Sequence, residues 1–292
     1  MSTPIDPLRE HPSTYFVQDR SSEDELKRLV AQDQMLTRSM GGVLPEWHDP
    51  PPLRRVLDVG CGTGGWLIEL ARAYPGISLL IGVDVSGHLL NYARARAEEQ
   101  QVHNRMEFHV MDALRMLEFP AGFFDLVNMR FGMSFVRTWD WPKLLEEFQR
   151  VTRPGGIVRV TEPEMTSTTN SPAHTRLQQL NVQAAYQAGY AFAPDGKNVL
   201  DEVPRLLRQH GLEQVQTRVY TLEYRSTTPE GQLFIEDAAR VFRTALPFLR
   251  KWTRIPDDYE AIYQQMLVEM RQPDFVATWK MVTAWGERAQ SG

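Results

Sequence analysis

The chain has 292 residues, with 32 basic and 37 acidic side chains and a formal net charge of -5. Its length suits one large domain with additions or two modest ones, and its acidic balance offers no basic field for a nucleic-acid backbone. A single cysteine excludes an internal disulfide framework and a cysteine cluster for zinc. We therefore expect a small-molecule partner, no nucleic-acid partner and a reducing, cytoplasmic location.

Membrane and metal binding are also disfavoured by the sequence. No apolar run approaches the roughly 20 residues needed to cross a bilayer, and the N-terminal stretch lacks the apolar core of a secretory signal. The seven histidines show no metal-ligand spacing such as H-x-x-x-H. We expect no membrane partner and no metal, and a homodimer is one expectation for the oligomeric state.

The first predicted element is a helix between residues 22 and 40. Ser22 and Glu25 stand at the spacing of a capping box, and Gly41 with Gly42 supplies an end signal. Leu26, Leu29, Val30 and Leu36 give this helix one apolar stripe. We interpret residues 1–45 as an N-terminal helical lid segment.

Strands and helices alternate from residue 53 to residue 164. The predicted strands are Arg55–Val59, Ser78–Val83, Met106–Met111, Phe124–Met129 and Gly156–Thr161. The predicted helices between them are Gly64–Ala73, Leu89–Glu99, a short piece at Ala113–Leu117, and Trp141–Val151. Such alternation indicates parallel β-α-β units and a sheet covered on both faces, so the fold class is α/β and residues 53–164 form its core.

The pattern changes after Glu164. Residues 165–198 begin with a polar stretch and predict an inserted helix over 176–187. Residues 199–292 contain two alternating strand patterns, at 212–225 and 275–288, separated by a helical insertion at 229–272. This last part is expected to complete the core sheet.

The stretch "VLDVGCGTGGW" at residues 56–66 is a buried strand that runs into a glycine-rich turn. Gly60, Gly62 and Gly65 satisfy the G-x-G-x-x-G pattern of nucleotide-like sites, in which backbone N–H groups approach a ligand closely. Asp58 lies two residues before the first of these glycines, where a carboxylate would repel a pyrophosphate and attract a cation. S-Adenosylmethionine, with an ammonium, a sulfonium and no phosphate, meets that demand.

Two further acids follow the next strands. Asp84 ends "LLIGVDVS" about 20 residues past the turn, where a carboxylate can take both ribose hydroxyls. Asp112, in "FHVMDALRM", can accept a hydrogen bond from an adenine amino group. Because dinucleotide sites share the ribose acid, and because acids also favour helix N-caps, each is ambiguous alone; together they favour a nucleoside ligand.

These stretches resemble the class I S-adenosylmethionine-dependent methyltransferases, whose core is Rossmann-like. "VLDVGCGTG" is similar to their first motif, "GVDVS" to the ribose motif, "MDA" to the adenine motif, and "RPGG" to the approach to the fifth strand. The resemblance implies a doubly wound, mostly parallel seven-stranded sheet with an antiparallel last strand, and S-adenosylhomocysteine as product. It implies the following cofactor contacts: Asp58, Gly60, Cys61 and Gly62 beside the methionine part, Asp84 and Val85 at the ribose, and Asp112 with Ala113 at the adenine.

The acceptor is expected at the carboxyl ends of the fourth and fifth strands, beneath helices 22–40, 165–198 and 229–272. These segments carry many aromatic side chains and methionines, which favour an apolar or aromatic acceptor. If the nucleophile loses a proton, Glu162 at the end of the fifth strand is the first candidate base, followed by Glu164 and His174. Tyr15, Arg38 and Arg130 are candidate partners of the methionine carboxylate.

The leading hypothesis is methyl transfer to an O, N or C nucleophile of a small metabolite. The alternative is an S-adenosylmethionine-binding protein of the same fold that catalyses a rearrangement or decarboxylation, because fold does not fix function. A nicotinamide-dependent oxidoreductase is opposed by Asp58. A nucleic-acid methyltransferase would need a basic stripe, which is missing from this sequence.

Overall fold

A computed structural model describes residues 14–17 and 22–290. Residues 1–13 and 18–21 of the expected lid segment therefore lie outside the described part. The strands of its single seven-stranded sheet are β1 (Arg55–Val59), β2 (Leu79–Asp84), β3 (Met106–Val110), β4 (Phe124–Arg130), β5 (Thr152–Thr169), β6 (Leu212–Arg225) and β7 (Val276–Arg288). Their order is β3-β2-β1-β4-β5-β7-β6, and β7 runs antiparallel to both of its neighbours. The prediction of a mostly parallel, seven-stranded α/β sheet is confirmed.

Nine α-helices accompany the sheet in the described part of the chain. They are α1 (Glu23–Met40), α2 (Gly65–Ala73), α3 (Gly87–Glu99), α4 (Trp141–Val151), α5 (Pro172–Gln187), α6 (Val199–Gln209), α7 (Pro229–Thr244), α8 (Leu246–Trp252) and α9 (Tyr259–Glu269). None of them is long and apolar enough to cross a membrane.

Both faces of the sheet are covered, as the near-continuous apolar sequence of its central strands requires. The apolar faces of α2 and α3 bury one side, around Trp66 and Leu90. The faces of α4 and α6 bury the other side, around Phe148 and Leu207. The sheet is thus doubly wound.

A third apolar core lies beyond the carboxyl edge of the sheet. It joins α1, α5, α7, α8 and α9 with the extended ends of β6 and β7, around Leu177, Tyr224 and Met266. α1 begins at an N-cap, Ser22, whose hydroxyl accepts the Glu25 N–H, and ends at Gly41 in the left-handed region with φ of 91°. The added helices therefore form a layer of their own over one edge of the core.

Two local predictions are wrong. The fifth strand does not end at Thr161: after a register shift between Pro163 and Ser167, polar residues through Thr169 pair with β7. The segment Ala113–Leu117 is not helical, and Glu147 of α4 accepts the Leu117 N–H. A helix over this segment would need that amide hydrogen for its own bond to the Ala113 carbonyl.

Candidate functional site

The glycine turn after β1 brings backbone close to a ligand position. Gly60 and Gly62 have φ of 67° and 53°, in the left-handed region that glycine tolerates best. A Cβ at Gly60 would lie 2.9 Å from the Phe135 ring, whereas one at Gly62 would meet no atom within 4 Å. The turn is therefore packed on one side and open on the other, which forms a cradle for a ligand.

Strand-end acids surround this cradle. Asp84 Oδ2 accepts the Gly62 N–H at 3.0 Å, and its Oδ1 accepts the Ser86 N–H at 2.9 Å. Asp112 Oδ1 accepts the Leu114 N–H at 3.0 Å. These backbone bonds fix both carboxylates, and because a carboxylate oxygen can accept more than one hydrogen bond, the two acids are suited to ligand hydroxyl or amino groups.

Asp58 belongs to a buried polar chain that crosses three strands. Its Oδ1 accepts a hydrogen bond from Asn128 Nδ2 at 2.7 Å, and Asn128 Oδ1 accepts one from Arg159 at 2.7 Å. Arg159 in turn pairs with Glu46, and this ion pair is almost fully enclosed. Strand register explains the arrangement, since Asp58, Asn128 and Arg159 are direct neighbours across β1, β4 and β5.

Burial raises the pKa of Asp58 to about 7, although the guanidinium of Arg130 and the Asn128 hydrogen bond oppose the shift. A ligand ammonium beside Asp58 would favour the ionised carboxylate, and the attraction between the two charges would strengthen binding. Asp58 is therefore well suited to a cationic ligand group.

The end of β4 carries an ion pair with the lid helix. Arg130 bonds to Asp33 of α1 and donates to Thr37 Oγ1 at 3.4 Å. A Cβ added at Gly65 would overlap the Asp33 carboxylate, so this acid lies directly over the first turn of α2. The pair ties α1 to the cradle and places one cation and one anion beside Asp58.

A second buried cluster lies deeper under the lid. Arg28 Nη2 contacts Glu25 Oε1 at 2.7 Å and Arg28 Nη1 contacts Asp237 Oδ1 at 3.0 Å, while the Tyr15 hydroxyl donates to Glu25 at 2.6 Å. Gln32 also donates to Asp237 Oδ1, at 3.4 Å. Burial raises the pKa of Asp237, with Arg28 opposing the shift. The cluster joins α1 to α7.

One cavity of about 310 Å³ connects these features. It extends from the glycine turn and the strand-end acids to a chamber walled by α1, α5 and α7. The aromatic side chains that line it are Tyr15, Phe16, Phe131, Phe135, Tyr190, Phe234, Phe242, Phe248 and Trp279. The cavity therefore has a polar half and an aromatic half, which suits two ligands bound side by side, one polar and one apolar.

Most candidate residues from the sequence line this cavity. They are Tyr15, Asp58, Gly60, Cys61, Gly62, Asp84, Val85, Asp112, Ala113, Arg130 and His174. Burial raises the pKa of the Cys61 thiol further, which disfavours a thiolate nucleophile. Arg38 is exposed in the last turn of α1 and does not line the cavity, so the structure gives it no contact with a ligand there.

Glu162, a candidate base, is not among the residues that line the cavity. Its side chain is buried, and its two oxygens accept the backbone N–H groups of Gly132 at 2.6 Å and Met133 at 3.2 Å. Burial raises its pKa to about 8 despite these bonds. The geometry gives Glu162 the role of capping the 3-10 helix Gly132–Ser134, whereas Glu164, two residues later, reaches the cavity.

His174, another candidate base, does lie in the chamber. It is 3% exposed and stands in the first turn of α5, between the edges of Phe234 and Phe242 at centroid distances of 5.8 Å. Burial lowers its pKa to about 4, so the ring is neutral near pH 7. A neutral imidazole can donate one hydrogen bond and accept another.

The residues that sequence reasoning missed are Arg28, Asp33, Gln178 and Asp237. A signal was available for Asp237, because Phe234, Ala238, Val241 and Phe242 place it on the apolar face of α7. A charged residue on such a face indicates a buried partner or a site. Arg28 and Asp33 carry no comparable signal.

Comparison with known proteins identifies the central part of the chain. The family described as "Methyltransferase domain" matches residues 56–156. This match assigns residues 56–156 to a methyltransferase domain. This domain spans β1 to the start of β5, and hence the glycine turn and all three strand-end acids.

Among the relatives of the methyltransferase domain is the demethylmenaquinone methyltransferase of Geobacillus stearothermophilus. It is 36% identical over 104 residues, which cover 36% of this chain and 43% of that protein. Similar relatives from Lactococcus lactis and Oceanobacillus iheyensis are covered over 39% and 41% of their length. The chain thus spans about two-fifths of the length of these proteins.

Two solved structures share the fold over nearly the whole chain. Phosphoethanolamine N-methyltransferase 2 of Haemonchus contortus, solved with phosphomonomethylethanolamine and S-adenosylhomocysteine, has a TM-score of 0.57 at 20% identity and covers 96% of this chain and 61% of its own. The 4+2 cyclase SpnF has a TM-score of 0.51 at 20% identity, with coverages of 98% and 90%. At these identities the likeness establishes the architecture around the methyltransferase domain.

Proposed function

We propose that the chain is an S-adenosylmethionine-dependent methyltransferase that acts on a small, apolar or aromatic acceptor. The observation that carries the proposal is the single cavity that joins the strand-end acids to an aromatic chamber. The name of the Geobacillus relative, a demethylmenaquinone methyltransferase, supports both the reaction class and an apolar acceptor. The chamber is built by the added helices, so acceptor choice resides in this chain's own insertions.

The residues of the polar half fit the cofactor. Asp58 offers a buried carboxylate to an ammonium, Asp84 can accept from ribose hydroxyls, and Asp112 can accept from an adenine amino group. Arg130 supplies a cation for the methionine carboxylate, which would replace Asp33 as the partner of Arg130 or share Arg130 with it. When bound, S-adenosylmethionine supplies an electrophilic methyl group on a sulfonium.

The chain's own contribution to catalysis is positioning and exclusion of water. Holding the acceptor in the aromatic chamber against the cofactor half converts an encounter into an oriented contact. α1, tied to β4 by the Asp33–Arg130 pair, covers the cradle from above. Aromatic faces in the chamber can also stabilise a nearby cation.

Calorimetric titration with S-adenosylmethionine, S-adenosylhomocysteine and NAD tests the cofactor. We expect the first two to bind and Asp84→Ala to weaken both by about tenfold to hundredfold, because hydrogen bonds to a charged group contribute about 1.5–3 kcal/mol. Asp195→Ala is the matched control, since Asp195 also accepts an N–H two residues on but is exposed. Binding of NAD alone would overturn the proposal.

Analysis of products distinguishes methyl transfer from other chemistry on the same fold. Incubation with S-adenosylmethionine and a panel of hydroxylated aromatic acceptors should give a methylated product and an equal amount of S-adenosylhomocysteine. An acceptor that is rearranged or decarboxylated while the cofactor is not consumed would instead establish the alternative reaction class.

For an acceptor that loses a proton in the reaction, we propose Asp237, a carboxylate that lines the chamber, as the base. Its raised pKa brings it closer to neutral pH, where a general base works best. With the acceptor found above, Asp237→Asn should lower kcat about hundredfold and leave the affinity for S-adenosylhomocysteine unchanged. Glu236→Gln, on the exposed side of the same helix, should keep kcat. A large loss in Glu164→Gln with none in Asp237→Asn would assign the proton to Glu164.

A further inference from the structure

The start of α5 is held rigidly, which fixes the position of His174. Ser171 caps the helix by accepting the His174 N–H at 3.1 Å and donates its own hydroxyl proton to Glu269 at 2.6 Å. Glu269, at the end of α9, also accepts the Ala173 N–H at 3.0 Å. Because both the Ser171 cap and Glu269 of α9 hold this turn, the backbone that carries the His174 imidazole has a fixed position beside the chamber.

Gln178, one turn further along α5, has an amide whose orientation is determined by its surroundings. Its Oε1 accepts the backbone N–H of Ser167 at 2.5 Å, and a backbone N–H can only donate. The amide nitrogen therefore faces the other way, where it lies 3.3 Å from His174 Nδ1 and 3.4 Å from the Ser167 carbonyl oxygen.

This orientation fixes the tautomer of His174. An amide NH₂ donates and does not accept, so His174 Nδ1 must present a lone pair to it. In the neutral ring that burial favours, the single ring proton then lies on Nε2. His174 is consequently a hydrogen-bond donor at Nε2.

The donor at Nε2 is available to a ligand. Within residues 14–17 and 22–290, no protein group forms a hydrogen bond with it, and it is not among the fully enclosed orphan atoms. His174 lines the cavity, and its ring packs between the apolar rings of Phe234 and Phe242. A hydrogen-bond donor set between aromatic rings can fix the orientation of a ring that enters beside it.

We propose that His174 is the positioning residue of the acceptor subsite, and that it donates from Nε2–H to an oxygen on a flat aromatic acceptor. This inference rests on the proposed methyltransferase function and names the class of its substrate, an oxygen-bearing aromatic ring. A purely hydrocarbon ring would leave the donor unsatisfied, at a cost that discriminates against it. The assignment also removes His174 as a base in the resting enzyme.

Nitrogen-15 NMR of the histidine-labelled full chain reads the tautomer directly. The His174 signal, identified by its loss in His174→Phe, should show a protonated Nε2 and an unprotonated Nδ1 at neutral pH. A proton on Nδ1, or on both nitrogens, would overturn the proposal. The affinities of aromatic probes for the unmodified chain test the subsite without this variant.

Binding of three probes tests the subsite itself. In the presence of S-adenosylhomocysteine, 1-naphthol and 1-methoxynaphthalene should bind about threefold to tenfold more tightly than naphthalene. This is the gain in affinity expected from one additional hydrogen bond. The methoxy compound can only accept, so its gain requires a donor on the protein. His174→Phe, which keeps the aromatic packing, should abolish the gain, whereas His103→Phe at an exposed position should keep it.

Equal affinities of the three probes for the unmodified chain, or an undiminished gain in His174→Phe, would overturn the subsite. The titration with S-adenosylhomocysteine is a separate arm: its failure would count against the proposed function, while the probe series still reports on the chamber. An unchanged affinity for S-adenosylhomocysteine in His174→Phe shows that the cofactor half is intact.

Discussion

Replacing Arg159 by methionine is expected to lower the free energy of unfolding by about 3–5 kcal/mol, the range for breaking a buried ion pair. The side chains of Arg159 and Glu46 are 1% and 0% exposed, so the substitution leaves an enclosed carboxylate without its cation. Asn128 also loses the donor to its Oδ1. Urea denaturation of the ligand-free chain measures the loss as a lower midpoint at unchanged slope.

Arg153→Met is the matched control. Arg153 pairs with Asp125 on the same sheet, but its side chain is 40% exposed, so its loss should cost no more than about 1 kcal/mol. A double variant, Arg159→Met with Glu46→Leu, should recover most of the stability, because it removes both charges. Equal midpoints for Arg159→Met and Arg153→Met would contradict the buried network.

Asp58→Asn is expected to weaken binding of S-adenosylhomocysteine by roughly 30-fold or more. The proposed partner of Asp58 is the ligand's ammonium, and truncating one member of a buried charge pair costs about 2–5 kcal/mol. Asparagine keeps the shape and loses the charge. Calorimetry of both forms gives the ratio, and Asp195→Asn should leave the affinity unchanged because Asp195 is exposed and does not line the cavity.

The same carboxylate predicts how affinity depends on pH. Burial raises the pKa of Asp58 to about 7 in the free protein, and a bound ammonium would lower it, so binding releases a proton below pH 7. Affinity should therefore rise up to about tenfold per pH unit towards pH 7 and level off above it. Asp58→Asn should remove this slope; a slope that persists in the variant would assign the proton to another group.

The cofactor half of the fold could be predicted from the sequence because its information is local. An apolar strand, a glycine turn and an acid follow one another within a few residues at Asp58, Asp84 and Asp112. The carboxyl ends of parallel strands lie at one edge of the sheet, so the position of the three acids follows from the strand pattern alone. The burial of Asp58 in a hydrogen-bonded chain was not predictable, since that chain depends on Asn128 and Arg159 in neighbouring strands.

The acceptor half could not be predicted to the same extent because its contacts are distant in the chain. Arg28 and Asp237 are 209 residues apart and meet only when α1 packs on α7. The choice between Glu162 and Glu164 depended on the pairing of β5 with β7 and on the register shift after Pro163. His174 was expected in the chamber, but its role depended on the amide of Gln178 and the N–H of Ser167.

The division of the interior into separate apolar cores has a consequence for how the protein can change. The two cores that flank the sheet pack against the cofactor cradle, while the third, around Leu177, Tyr224 and Met266, belongs to the chamber helices. Substitutions in the third core can reshape the chamber with little effect on the packing beneath the glycine turn, because additivity holds for sites without shared contacts. New acceptor preferences are therefore accessible to selection without rebuilding the nucleoside-binding half, and laboratory evolution should target α5 and α7 first.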